Sequence, residues 1–329
     1  MTVNSIEFYS GIGGMHYALR DASPKSCVLA ACDINTTANS IYAYNFPKTS
    51  LLQNNIQALT VEKLDKLHAD LWMMSPPCQP FTRKGLQKGI SDHRCDSLVI
   101  LLEKLKQMKK PPSYIFLENV VGFETTSVHD AVITTLHELR YGTKEYILSP
   151  LQFGVPNSRP RYYLLASTLF PSTGCTEEIS THLERRDSEE LEEMSNFVDE
   201  SLRTISLFLD IGVLQRYGRA LDIILPHSSR SACFTKSYGS YISGCGSYFC
   251  LRPDLVKENR LSDAAMNDPD SLIGAVRRLS PREVANLMCF PKDFVVPPNI
   301  SDKQMYQCLG NSVNVRVVSA LLALLLRGQ

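Results

Sequence analysis

The chain has 329 residues, 44% hydrophobic and 21% charged, with 34 basic and 34 acidic side chains and therefore no formal net charge. That length suits one large domain or two ordinary ones, and that composition excludes a disordered, collagen-like or coiled-coil chain. Zero net charge argues weakly against a nucleic-acid partner, but residues 171–210 hold 11 acidic against three basic side chains, which leaves the remainder with an excess of eight positive charges.

In chain order, Val3–Tyr9 is strand-like and runs into Ser10-Gly11-Ile12-Gly13-Gly14, after which Met15–Asp21 has helical spacing. Cys27–Asp33 predicts a second strand and Thr36–Tyr44 a helix. Asp70–Ser75, Tyr114–Glu118 and Tyr162–Ser167 continue the strands, with a helix at Val128–Leu139. Strand alternating with helix predicts an α/β fold, a doubly wound, mostly parallel sheet with ligands at the carboxyl ends of its strands. From about residue 169 the pattern degrades into the acidic stretch 171–210, expected to be a solvated helix or mobile linker. Segments rich in Ser, Gly, Tyr and Cys follow between Ser228 and Tyr248. The expected division is a catalytic domain of 1–168 plus 301–329 and a smaller domain of 169–300. The apolar run Val313–Leu326, interrupted by Asn314, Arg316 and Ser319, is too short for a bilayer and predicts a buried helix docked on the first domain. The first seven residues lack a basic start and a long apolar core, so no signal peptide is expected. Ten irregularly spaced cysteines without a C-x-x-C read as reduced thiols, with no metal site.

Several short segments carry chemistry. Glycines at 11, 13 and 14 allow close approach of the backbone to a ligand, and helix amides favour its anionic end. Asp33, 22 residues after Gly11, suits ribose hydroxyls; together these point to a nucleoside-containing cofactor. The dinucleotide pattern G-x-G-x-x-G fails because its third glycine would fall on His16, which disfavours NAD. Ser75-Pro76-Pro77-Cys78-Gln79-Pro80-Phe81 follows a strand, and three prolines around one thiol are an unusual setting for an idle cysteine. Glu118-Asn119-Val120 ends another strand among apolar neighbours, as a proton-donating carboxyl requires. Arg159 and Arg161, two apart at a strand start, are expected to leave one face and to suit a carbonyl oxygen, a phosphate or the Cys78 thiolate. Arg278-Leu279-Ser280-Pro281-Arg282-Glu283 and Gly310-Asn311-Ser312-Val313, taken alone, each read as a turn and a helix cap.

In this order, from Tyr9-Ser10-Gly11-Ile12-Gly13-Gly14 through Pro76-Pro77-Cys78-Gln79, Glu118-Asn119-Val120, Gln152-Phe153-Gly154-Val155-Pro156, Arg159-x-Arg161 and Arg282-Glu283 to Gly310-Asn311-Ser312-Val313, the chain resembles the cytosine-5 methyltransferases over nearly its whole length. Cys78-Gln79-Pro80-Phe81-Thr82-Arg83 and Cys233-Phe234-Thr235-Lys236-Ser237-Tyr238-Gly239 are similar to the branch that methylates tRNA-Asp, the DNA methyltransferase-2-like proteins. The resemblance implies S-adenosylmethionine as donor. Tyr9, Gly11, Ile12, Gly13, Gly14, Asp33, Ile34, Asn55, Ile56, Ser75, Pro76, Leu98, Asn311 and Val313 would form its pocket, with Ile34 and Ile56 about the adenine. It further implies Cys78 as nucleophile, Glu118 as acid at N3, Arg161 on the O2 oxygen, and Arg159 orienting the loop or a phosphate. Gln79, Arg83, Cys233, Thr235 and Lys236 would face the substrate. The implied product is 5-methylcytosine at position 38 of tRNA-Asp, made by a monomer in cytoplasm or nucleus without a membrane. The alternatives are a DNA cytosine methyltransferase and a low-turnover nucleic-acid binder.

Overall fold

Along the first strand Ser5 and Glu7 alternate with Ile6 and Phe8, yet all four are buried, as a central strand covered on both faces requires. The computed structural model describes residues 2–77, 96–171, 178–183 and 190–327. By contacts the chain forms two units: 1–148, 160–185 and 315–329 in the first, 149–159 and 186–314 in the second.

The first unit is built on a seven-stranded sheet in the order β3-β2-β1-β4-β5-β7-β6. Its strands are β1 (Asn4–Phe8), β2 (Cys27–Cys32), β3 (Ser50–Leu52), β4 (Leu71–Met74), β5 (Tyr114–Val120), β6 (Gly142–Leu148) and β7 (Arg161–Ser167). Pairing is parallel from β3 through β5, and β7 runs antiparallel between β5 and β6. The order reverses between β1 and β4, so the carboxyl ends of those two strands flank the crevice where such sheets bind ligands. Helices α1 (Gly14–Ala22), α2 (Thr36–Asn45), α3 (Val61–Leu67), α4 (Asp96–Gln107) and α5 (Ser127–Glu138) accompany the strands. Local chemistry sets their starts: Asn35, Thr60 and Thr126 accept from Ala38, Lys63 and His129 amides respectively. The core includes Phe8 edge-on to Trp72 at 5.0 Å, and Leu98, Leu101, Leu102 and Leu105 on one face of α4.

The second unit holds α6 (Ile211–Tyr217), β8 (Ile223–Ile224), β9 (Tyr248–Cys250), β10 (Val256–Lys257), β11 (Arg260–Leu261), α7 (Asp263–Asn267), β12 (Val276–Arg278), α8 (Pro281–Leu287) and α9 (Asp302–Gly310). A small sheet, β12-β9-β8, lies at its centre. The final helix, α10 (Val315–Leu326), belongs to the first unit and packs against α1, as the sequence suggests. Its 12 residues rise about 18 Å, short of a bilayer's hydrocarbon thickness, and residues 311–314 separate it from α9.

Two expectations are corrected. The described part of the acidic stretch is not a solvated helix. Ser180 bridges to Tyr146, the amides of Glu192 and Met194 donate to Gly154 and Ser228 carbonyls, and Met194, Phe197 and Val198 are buried. Apolar residues between the acids anchor the backbone. The division also differs from the sequence-based boundaries. Residues 149–159 join the second unit because Asn157 and Ser158 bond to Ser231 and Ala232; 301–314 join it because α9 packs on α8.

Arg282-Glu283 proves structural. Glu283 completes a capping box with Ser280, and its two oxygens take both terminal nitrogens of the fully buried Arg277, at 2.8 and 2.9 Å. The Asp199 amide also donates to Glu283, at 2.8 Å. Removing one member of such a pair leaves a buried charge uncompensated. Glu283→Ala is expected to cost about 3–5 kcal/mol in denaturant unfolding; a loss below about 1 kcal/mol would contradict this role.

Candidate active site

The carboxyl end of β1 turns sharply: Tyr9, Gly11 and Gly13 all have positive φ, at 57°, 53° and 84°. At Gly13 a Cβ would lie 2.5 Å from the Phe46 ring, so only glycine fits, whereas nothing lies within 4 Å of a Cβ at Gly11. Asp33, at the end of β2, holds the loop in place. Its Oδ2 accepts from the Gly11 amide and its Oδ1 from the Asn35 amide, each at 2.8 Å. Ile12 is buried beneath the turn, and Gly14 opens α1.

Beneath this loop lies a buried polar chain that the sequence reading does not contain. Glu7 accepts from the Tyr42 hydroxyl at 3.0 Å and from the Met15 and His16 amides, and Tyr42 in turn meets His16 Nδ1 at 2.8 Å. Burial pushes the Glu7 carboxyl up to about 8, and burial with Arg20 pushes His16 down to about 4. At neutral pH His16 is an uncharged ring stacked on Phe46 at 3.7 Å, at the position where the dinucleotide pattern would have its third glycine. The only signal for this chain was a charged residue inside an apolar strand.

The ends of β4 and β5 and the start of β7 share this edge. Register pairs Phe8 with Met74 and Met74 with Leu117. The Ser75 hydroxyl donates to Tyr9 O at 3.2 Å, the Asn119 side-chain Nδ2 to Pro76 O at 3.3 Å, and the Tyr9 hydroxyl meets Ser97 Oγ at 2.9 Å. These bonds tie Ser75-Pro76 to the glycine turn and to β5. Cys78, Gln79 and Arg83 lie outside the described residues, and Pro77 is the last described residue before them.

Glu118 sits opposite Tyr163 in the β5–β7 ladder, and its carboxylate is 3.5 Å from Arg161 Nε. Glu118 is 8% exposed, and Arg161 also donates to Pro160 O at 2.7 Å. A nearly buried carboxyl and a guanidinium thus stand together at the edge where β1 and β4 end. The guanidinium can donate to an acceptor of a planar heterocycle, and the carboxyl can donate to a neighbouring one when it carries its proton.

Arg159 does not share that arrangement, contrary to the expectation of one face. It is 3% exposed and serves as a clamp in the second unit, donating to Phe234 O and Gly310 O at 3.0 Å, to Ser312 O at 2.6 Å and to Cys233 Sγ at 3.4 Å. Three carbonyls on converging turns demand a planar, multidentate donor. Cys233 is half-buried, Lys236 is exposed, and the Thr235 amide donates to Cys245 O.

The remaining pocket candidates differ in access. Ile34 is 71% exposed directly after Asp33. Ile56 and Leu98 are buried in the core, and Asn55 accepts from the Gln57 amide at the start of a short turn. Asn311 is exposed and Val313 buried, both in the second unit. No cluster of metal-ligating side chains occurs among the described residues.

The sheet with its added unit is a methyltransferase Rossmann-like fold. It superposes on a crystal structure of a Spodoptera frugiperda DNMT2 mutant with a TM-score of 0.85 at 38% identity, covering 98% of this chain and 99% of that one. The chain belongs to the C-5 cytosine-specific DNA methylase family, whose description matches residues 3–327, and it is a cytosine-5 methyltransferase. It is 40% identical to a Spodoptera frugiperda tRNA (cytosine(38)-C(5))-methyltransferase over 338 residues, covering 99% of each chain. It is 36% identical to a Dictyostelium discoideum DNA (cytosine-5)-methyltransferase over 362 residues, covering 97% of this chain and 93% of the relative.

Proposed function

We propose that this chain transfers the methyl group of S-adenosylmethionine to C5 of cytosine 38 in the anticodon loop of tRNA-Asp. The observation that carries this reading is its similarity over full length, at 40% identity, to a relative named for that nucleotide. The choice of tRNA-Asp rests on the resemblance of its Cys78–Arg83 and Cys233–Gly239 segments.

The residues present fit the donor. The Gly11 position is open, Ile34 offers an exposed apolar face beside Asp33, and the buried Ser10 hydroxyl has no hydrogen-bond partner among the described residues. Gly11–Gly14 amides would hold the methionine carboxylate, and Asp33 the ribose hydroxyls. S-adenosylmethionine, when bound, supplies an electrophilic methyl group on sulfur.

Cytosine C5 is a poor nucleophile until the ring is activated. The Cys78 thiolate adds to C6, and the electron pair displaced from the C5–C6 bond makes C5 enamine-like. Negative charge that would gather at N3 is relieved by a proton from Glu118, while Arg161 donates to O2. After methylation a base removes the C5 proton, and the thiolate leaves C6 as the double bond reforms. The base must leave its stack to enter the site, at a few kcal/mol in a duplex and less in a loop.

Parallel assays of labelled methyl transfer to a tRNA-Asp transcript and to duplex DNA test the substrate. Faster transfer to the tRNA, mapped to cytosine 38, is expected. Faster transfer to DNA would establish the second reading, which the Dictyostelium relative favours.

A further inference from the structure

A turn made of glycines cannot supply its own cap. Gly13 stands at the N-cap of α1 and has no side chain to offer, whereas α2, α3 and α5 each start on a side-chain cap. The turn also places Tyr9 at a φ of 57°, which a bulky residue keeps only when its surroundings enforce it. Its shape must therefore be held from outside.

One side of α2 holds it. Asn39 and Tyr42 lie three residues apart along that helix, and Phe46 follows at its end. Asn39 Nδ2 donates to Asp33 O at 3.0 Å. A Cβ at Gly13 would meet the Phe46 ring at 2.5 Å and the Tyr42 ring at 3.2 Å, so both rings press directly on the turn. The Tyr42 hydroxyl reaches Glu7, two residues before Tyr9, and His16, two residues after Gly14. It thus joins the strand that enters the turn to the helix that leaves it. A buried tyrosine ordinarily finds one partner for its hydroxyl; this one has two, at opposite ends of a single turn. Tyr42 is fully buried and Glu7 is 1% exposed, so water does not compete for the bridge. Burial and the neighbouring Glu7 also keep the hydroxyl protonated well above its ordinary range, which preserves it as a donor.

We propose that Tyr42 is a positioning residue for the methyl donor: its hydroxyl bridges the two ends of the glycine turn and holds the turn in the shape that the donor requires before the donor arrives. With Asn39 on Asp33, α2 then sets the spacing between the turn and Asp33. Preorganisation of this kind lowers the cost of ordering on binding. The proposal deepens the donor reading above and rests on it.

The test measures S-adenosylhomocysteine binding by calorimetry, with steady-state methylation of a tRNA-Asp transcript and thermal unfolding alongside. Tyr42→Phe keeps the ring against Gly13 and removes only the bridge. It is expected to weaken binding about 3- to 30-fold, the range of one or two lost hydrogen bonds. The KM for S-adenosylmethionine is expected to rise in proportion, with kcat at saturating donor and KM for tRNA within about twofold of wild type. Tyr17→Phe is the control for a structural role. It removes a buried hydroxyl from the same aromatic group, one that donates to Asn45 Oδ1 at 3.0 Å and does not span the turn. It is expected to lower the unfolding temperature comparably and to leave donor affinity within about twofold. His16→Leu removes the bridge from its other end and carries the test should Tyr42→Phe not fold. The double variant Tyr42→Phe/His16→Leu is expected to bind within about threefold of the weaker single variant, since both break one bridge. Donor affinity unchanged in Tyr42→Phe and His16→Leu, equal weakening in Tyr17→Phe, or losses that multiply in the double variant would overturn the bridge. A folded wild-type enzyme that binds no S-adenosylhomocysteine would overturn the donor reading itself, before any variant is made.

Discussion

Cys78→Ala is expected to lower methyl transfer by on the order of 10³-fold or more and to leave S-adenosylmethionine affinity within about twofold. The thiol supplies the covalent bond that turns C5 into a nucleophile, and no neighbouring group replaces a carbon–sulfur bond. The donor's expected contacts are the glycine turn and Asp33, whose bonds to each other do not involve position 78. Single-turnover transfer and equilibrium binding of the donor check the two halves separately. Substantial residual transfer would remove Cys78 from the nucleophile's role.

Glu118→Gln is expected to slow transfer about 10²- to 10⁴-fold, the range of a lost general acid. Glutamine keeps the size of the side chain and an acceptor 3.5 Å from Arg161, but it cannot deliver a proton to N3. The loss is therefore expected in kcat with KM for tRNA little changed, because the amide still offers hydrogen bonds to the ring edge. If the variant turns over within about threefold of wild type, Glu118 is a structural partner of Arg161 and the protonation step needs another donor.

The sheet was legible where burial left a continuous apolar run ending in Gly, Asp or Pro. Strands β2 and β4 are of this kind, as are the carboxyl-edge positions of Asp33 and Ser75-Pro76; β1 was read through Ile6, Phe8 and the glycine turn after them, and β5 and β7 through apolar runs alone. β3 was not legible because Ser-Leu-Leu is too short to show a period. β6 was hidden because it is a polar edge strand in which Thr143, Lys144 and Glu145 are only half-buried. α4 does carry Leu98, Leu101, Leu102 and Leu105 at helical spacing, a signal that the motif-led reading passes over. In the site, Glu118 and Arg161 could be paired in thought but not in space, since their contact depends on the antiparallel register of β7 on β5. Arg159 shows the limit of local geometry: an i, i+2 spacing says nothing about carbonyls more than 70 residues away. The buried Glu7–Tyr42–His16 chain likewise arises from tertiary packing.

The most direct measurement of the central chemistry uses a tRNA-Asp transcript with 5-fluorocytidine at position 38, incubated with the enzyme and S-adenosylmethionine and digested for mass spectrometry. Fluorine takes the place of the proton that must leave C5, so the carbon–sulfur bond at C6 cannot be released. The account predicts one RNA–peptide adduct, at Cys78, dependent on the donor. An adduct at a different cysteine, or none in a preparation that methylates the unmodified transcript, would contradict it.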